Sequence, residues 1–149
     1  VVEPLIDGDR VRYVGEVNAE AKRDLLAGAD ALLFPIEWDE PFGLVMIEAL
    51  ASGIPVIAFR WGSVPEIVED GRTGFIVDDV EAMAAAIGRL DEIDRGECRS
   101  AAERRFTVER MVDDVETMYR SMLGRQPLQP DETDSAGDRD RADQAGAAV

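Results

Sequence analysis

A chain of 149 residues, 46% of them hydrophobic, is long enough for one domain with a buried core. Its 32 acidic residues against 16 basic ones give a net charge of −16, which excludes nucleic-acid binding through basic patches and a basic helix gripping an anionic membrane. One cysteine, Cys98, and no histidine exclude an internal disulfide and leave no ligand set for a metal cluster.

The excess of acid reads as solvated surface, with a salt-adapted host as the alternative. No run of about 18 apolar residues is present, so no transmembrane helix is expected, and no signal peptide pattern opens the chain.

Val2 to Ile6 reads as the end of a helix and Arg12 to Val14 as a strand. Ala19 to Ala29 is predicted as a helix with Leu25 and Leu26 inward. The apolar run at 31–34, closed by Pro35, is a buried strand. Ile36 to Phe42 is irregular. Gly43 to Ala51 has Leu44, Ile47, Glu48 and Ala51 at helical spacing, and Gly53 and Pro55 stop that helix. A strand follows at 56–59. Val64 to Glu69 starts a helix with Pro65 in its first turn, where the missing N–H costs nothing. Asp70-Gly71 and Thr73-Gly74 are turns, and Phe75 to Val77 is a short strand. Val80 to Leu90 is a helix presenting Met83, Ile87 and Leu90 on one face.

Helices at 97–105 and 107–123 close the folded part. The second carries an apolar stripe of Val108, Met111, Val112, Val115, Met118 and Met122. From Gln126 on, interleaved charges and small residues predict a disordered acidic tail. The expected organisation is therefore one domain over 1–123 and a tail over 124–149. Strands alternating with helices give an α/β fold with a Rossmann-like parallel sheet flanked by helices. No internal repeat is found.

The most informative stretch is Glu40-Pro41-Phe42-Gly43-Leu44-Val45-Met46-Ile47-Glu48. It follows the carboxyl end of a predicted strand and runs into a helix N-terminus, the sheet edge where open α/β folds bind ligands. The first amides of a helix have no intrahelical acceptors and the helix dipole adds positive potential there, so a phosphate can be held near Phe42 to Val45 without a basic side chain. Gly43 permits close approach of a ligand to the backbone. Glu40 and Glu48 accept hydrogen bonds only, which suits neutral hydroxyls. A ligand with phosphate in the middle and hydroxylated rings at both ends fits, and a nucleotide-sugar is one. The bland reading makes Glu40 a dipole partner of the helix; it does not account for Glu48 on an otherwise apolar helix.

Several further residues have two readings. Trp38 and Trp61 flank the same edge and either stack on a ring or pack. Gly62-Ser63 before Pro65 is either a second helix start facing the ligand or a tight strand-to-helix turn. Arg60 and Arg72 are candidate diphosphate partners or ordinary surface arginines. Lys22, the only lysine, falls on a predicted surface helix. Cys98 reads as structural rather than nucleophilic.

Glu40 to Glu48 resembles the E-x7-E motif of retaining glycosyltransferases with the GT-B fold, of the group 1, family 4 type. The likeness extends through Phe34-Pro35, Glu48 to Ala58, Gly62 to Val68 and Asp70 to Val77, with Val11 to Val17 before them and Phe106 to Tyr119 after. It covers about residues 1–123 and implies the C-terminal, donor-binding domain of the two Rossmann-like domains of such enzymes.

On that resemblance Glu48 would accept the ribose hydroxyls. Glu40 would bind the transferred sugar and act at the catalytic centre. Backbone amides of Phe42, Gly43, Leu44 and Val45 would meet the sugar and the diphosphate, and Gly15 to Val17 would lie near the nucleobase. The donor would be a nucleotide-diphosphate-sugar and the transfer retaining. No metal or other cofactor would be needed, because amides and basic side chains stabilise the leaving charge. A cytoplasmic location follows for a user of such donors.

The resemblance also has gaps. The chain begins Val1-Val2-Glu3-Pro4, and the family's opening strand and helix, with a Gly-Arg-x…Lys-Gly stretch that neutralises the diphosphate, have no counterpart. The resemblance implies a domain truncated on its N-terminal side, needing the N-terminal domain or a partner chain for the acceptor, and inactive alone. If that partner is absent, the stripe on the last helix is exposed and association is expected. The competing class is a non-catalytic nucleotide or sugar-phosphate binding module, or a subunit complementing a partner chain. A sugar-nucleotide epimerase is a poorer reading, since it would want a Gly-x-Gly-x-x-Gly turn after its first strand.

Overall fold

The structure is a computed structural model describing residues 3–124. The described residues divide into two units, one running to Arg110 and one beginning at Met111. In the first unit three parallel strands, β1 (Leu32–Phe34), β2 (Val56–Phe59) and β3 (Gly74–Val77), form one sheet in the order β1-β2-β3. Leu33 lies opposite Ile57, and Ile57 opposite Phe75. All four residues of β2 are buried, as the unbroken run Val56-Ile57-Ala58-Phe59 requires of a central parallel strand covered on both faces.

Helices α1 (Ala19–Ala27), α2 (Leu44–Ala51), α3 (Val64–Ile67), α4 (Val80–Ile87) and α5 (Arg95–Arg105) complete this unit, with 3-10 turns at Glu3–Leu5 and Leu90–Glu92. Side chains cap three of the helices: Asn18 accepts from Ala21 N–H, Asp79 from Ala82 N–H and Asp94 from Gly96 N–H. Each satisfies a first-turn donor that the helix leaves orphaned. Helix α2 packs on β1, on β2 and on α5, while α4 packs on β2 and β3. The core between them holds Met46, Leu50, Ile54, Val56, Ile57, Val64 and Cys98, all fully buried.

Cys98 sits inside that core with its thiol 3.6 Å from the Thr73 carbonyl oxygen. Burial pushes its pKa up to about 11, so the neutral thiol prevails near neutrality and the nucleophilic thiolate is scarce. The folded protein at pH 8 is expected to leave Cys98 unlabelled by a thiol-specific disulfide reagent over a time in which the urea-unfolded chain labels fully. Equal labelling rates in the two states would place the thiol at the surface.

The parallel sheet with flanking helices agrees with the sequence, and several details do not. Arg12 to Val14 is not a strand. Among the described residues no strand lies beside it to share a ladder, Tyr13 and Val14 are exposed, and the preceding segment is folded into a turn. In that turn Asp7 Oδ1 accepts from Val11 N–H and Asp9 N–H, each at 2.9 Å. Leu26 packs against the core, whereas Leu25 faces outward. Helix α4 ends at Ile87 because Gly88 caps it, Leu90 begins the next 3-10 turn, and Ile87 is exposed while Met83 and Ala86 are buried. Helix α5 starts earlier than expected because Asp94 caps it. The predicted tail from Gln126 lies outside the described residues, as do Val1 and Val2.

Helix α6 (Val108–Leu123) runs from the end of the first unit into the second. None of its residues is buried, and Val108, Met111, Val112, Val115, Met118 and Met122 are exposed along its apolar stripe.

Candidate functional site

The site is built where β1 hands over to α2. After Phe34 the chain leaves the sheet edge, buries Ile36 as an anchor, and returns at Gly43, which takes φ +71 and caps α2. A side chain at Gly43 would meet Met46 Cε at 2.2 Å and Ser63 Oγ at 3.2 Å. The left-handed backbone is what favours glycine here; the close contact is with the flexible end of Met46. As a cap residue Gly43 offers no side-chain acceptor, so the first-turn amides of α2 at Leu44 and Val45 lack the side-chain cap that α1, α4 and α5 have. Phe42 and Leu44 are exposed, and Val45 is half-buried.

Glu40 is half-buried in the loop before α2. Its Oε1 accepts from Gly43 N–H at 3.0 Å and its Oε2 from Trp38 Nε1–H at 3.3 Å. The Gly43 amide, then the Trp38 indole, hold the Glu40 carboxyl below its ordinary pKa, since both donors favour the charged form. The helix-partner role weighed for Glu40 thus applies, and the Gly43 amide, expected to face a ligand, is taken by Glu40 in this structure. Trp38 is exposed, and the structure joins it to Glu40 rather than to a core.

Beneath this loop lies the turn into α3. Gly62 has φ +51, and a Cβ there would come within 2.4 Å of both Glu40 N and Glu40 O. Ser63 N–H donates to the Glu40 carbonyl at 2.9 Å. Gly62-Ser63 is therefore the tight-turn reading realised, with a function the sequence did not reveal: it seats the Glu40 backbone.

Glu48 stands on α2, half-buried, with its Oε1 2.6 Å from Lys22 Nζ of α1. Sequence reasoning missed this contact. Residues 26 apart on two helices give no local pattern, and the only available signal is that Lys22 is the sole lysine. Gly15 and Val17 are exposed in the segment leading to Asn18 and α1, so they enter the helix that carries Lys22 to Glu48.

Arg72 is committed elsewhere, pairing with Glu69 at 2.8 Å and Glu97 at 2.7 Å. Its side chain ties the turn before β3 to α5. Arg60 lies 3.6 Å from Asp78 at the surface. Trp61 is partly exposed and lines an open groove with Glu37, Phe59 and Asp78 to Glu81. Among the described residues no group of three acidic, cysteine or histidine side chains is arranged to hold a metal ion. No described helix is long and apolar enough to cross a membrane.

The sequence profile of the family described as glycosyl transferases group 1 matches residues 2–92. The chain belongs to that family. Relatives of the group 1 chain include the N-acetyl-alpha-D-glucosaminyl L-malate synthase of Bacillus anthracis, 37% identical over 123 residues, which make up 77% of this chain and 32% of that protein. Among solved structures, a sucrose-phosphate synthase from Thermosynechococcus elongatus superimposes with a TM-score of 0.70 at 31% identity, covering 83% of this chain and 33% of that one. Anabaena HepE in complex with UDP gives 0.66 at 25% identity, covering 80% and 35%. The group 1 chain thus spans about a third of the length of these relatives. Its parallel sheet flanked by helices is the arrangement of GT-B glycosyltransferases.

Proposed function

We propose that this chain is the donor-binding part of a retaining, hexosyl-type glycosyltransferase of the family 4 kind, acting on a nucleotide-diphosphate-sugar. The observation that carries this reading is the junction at Gly43: a helix start without a side-chain cap, set between Glu40 and Glu48. In this reading Glu48 takes the ribose hydroxyls and Glu40 turns to the transferred sugar. The amides of Phe42, Leu44 and Val45, joined by Gly43 when Glu40 moves to the ligand, meet the diphosphate and sugar. Gly15 and Val17 approach the base. Departure of the diphosphate leaves negative charge where the α2 amides and dipole are aimed, and fixed dipoles of this kind stabilise it without reorganising.

The same reading assigns the acceptor to another domain or a partner chain, predicts no transfer by this chain alone, places the protein in the cytoplasm, and needs no resident metal or cofactor. Orientation of the acceptor against the donor supplies much of the rate in such reactions, and nothing in this junction provides it.

The test is an NMR titration of the labelled chain with UDP, GDP and ADP, followed by the matching nucleotide-sugars. Saturable shifts centred on Gly43 to Glu48 are expected. Glu48→Ala should weaken the best nucleotide by about tenfold or more, the usual worth of a hydrogen bond to a charged group. Absence of shifts at millimolar nucleotide in the folded wild-type chain would overturn donor binding by this chain.

A further inference from the structure

The Lys22–Glu48 pair joins one helix to another. Arg89–Glu92, Arg99–Glu103 and Arg120–Glu116 each join residues within one helix or turn. Arg72 and Arg105 tie α5 to the turns around it. Lys22 instead spans from α1 to the one charged residue of α2, Leu44–Ala51. Its side chain is 41% exposed and that of Glu48 37% exposed, so a ligand over α2 reaches both.

Two features show what the contact does. First, an ion pair this exposed adds little to stability, because water screens it and ordering a long lysine side chain costs entropy. Second, Lys22 engages Oε1 alone, and Oε2 of Glu48 has no hydrogen-bond partner among the described residues. A glutamate on a helix surface ordinarily samples several rotamers. Here the ammonium biases the carboxylate toward one rotamer through Oε1, and Oε2 is left as an acceptor in that rotamer. A carboxylate accepts and never donates, so the groups it selects are hydroxyls, and a fixed acceptor distinguishes a ligand carrying the hydroxyl from one lacking it.

We propose that Lys22 is a positioning residue that fixes the Glu48 carboxylate and thereby sets the preference of this site for ribonucleotides over 2′-deoxyribonucleotides. The inference rests on the reading of Glu48 as the ribose acceptor. Lys22 acts through Glu48 and contacts neither the phosphates nor the base. When the ribose diol arrives, Oε2 is already favoured in place, and part of the cost of ordering the side chain has been met before binding.

The experiment measures, on the 149-residue chain, the Kd of whichever of UDP, GDP and ADP binds best and of its 2′-deoxy counterpart. Wild type, Lys22→Met, Lys22→Arg and Glu48→Gln are compared. Wild type should prefer the ribonucleotide by about tenfold. Lys22→Met should lower that ratio by about two- to fivefold, the ceiling for an exposed ion pair, by weakening the ribonucleotide while moving the deoxynucleotide less than about twofold and the melting temperature little. Lys22→Arg should keep most of the preference, because its cation still reaches the carboxylate. A full ribose preference in Lys22→Met overturns the proposal while leaving the Glu48 reading standing. Equal weakening of both nucleotides overturns it too, and assigns Lys22 to the phosphates. Binding without preference in wild type, or no binding, overturns both this proposal and the reading of Glu48 beneath it.

Discussion

Gly62→Ala is expected to displace the Glu40 loop and lower the stability of the fold together. Two costs add. The backbone at Gly62 has φ +51, a conformation that charges an L-residue roughly 1–2 kcal/mol. The new Cβ also meets backbone: Glu40 N and O at 2.4 Å and the Asp39 carbonyl carbon at 2.8 Å. Backbone atoms do not rotate out of the way as a side chain end does, so loop 39–40 must lift off, breaking the Ser63 N–H to Glu40 carbonyl bond. The sum should be about 3 kcal/mol. Gly71→Ala separates the two costs, since Gly71 has φ +73 and open space where its Cβ would stand; it should lose only about 1 to 2 kcal/mol. Urea midpoints give the energies. Amide shifts of Glu40 and Gly43 report the loop, and they should move in Gly62→Ala and stay put in Gly71→Ala. Equal losses in the two variants, with the Glu40 and Gly43 signals unmoved, would mean that Gly62 does not seat the loop.

What was legible in the sequence followed from local chemistry. The β1–α2–β2 segment was readable because an apolar run, a glycine, a helical stripe and a Gly–Pro stop lie consecutively along it, and each is a short-range signal. The same holds for the turn at Asp70-Gly71 and the strand at Phe75. The predicted strand at Arg12 to Val14 failed for the complementary reason. A strand exists only through its neighbour, and apolar residues there do not reveal whether one lies alongside. Leu25 was misassigned because α1 buries a single narrow edge, through Leu26 and the half-buried Ala21 and Lys22, so two consecutive leucines cannot both face in. In the site, both glutamates stood out by spacing. Two of their partners did not: Lys22 comes from another helix, and Gly62 and Ser63 reach Glu40 from the turn after β2. Both are tertiary facts without a period in the sequence, whereas the Glu40–Gly43 bond is local and falls under the helix-partner reading.

Gly74→Ala is expected to be the most damaging single-methyl change in the chain, for a reason separate from backbone conformation. Gly74 is buried, and its φ lies outside the left-handed region. What it lacks is room. It pairs with Val56 across the β2–β3 ladder, and a Cβ would stand 1.9 Å from Val56 O and 2.8 Å from Val56 N and C. The strands cannot part to make space cheaply. Val56 N–H donates to Thr73 O on one side, Val56 also pairs with Leu32 of β1, and β2 is buried along its whole length. Overpacking against soft side chains costs about 1–3 kcal/mol; against a fixed carbonyl the loss should reach about 3 kcal/mol or more, a large share of the roughly 5–15 kcal/mol that holds a domain of this size together. Gly88→Ala is the matching control. Its φ is −70, and the nearest atom to the added Cβ is Ala85 O at 3.4 Å, so it should be within about 1 kcal/mol of wild type. Thermal melts should place Gly74→Ala about 12 °C or more below wild type and Gly88→Ala beside it. A Gly74→Ala protein that melts with wild type would show that β3 does not pair with β2 at this register, and the sheet order on which the site stands would have to be redrawn.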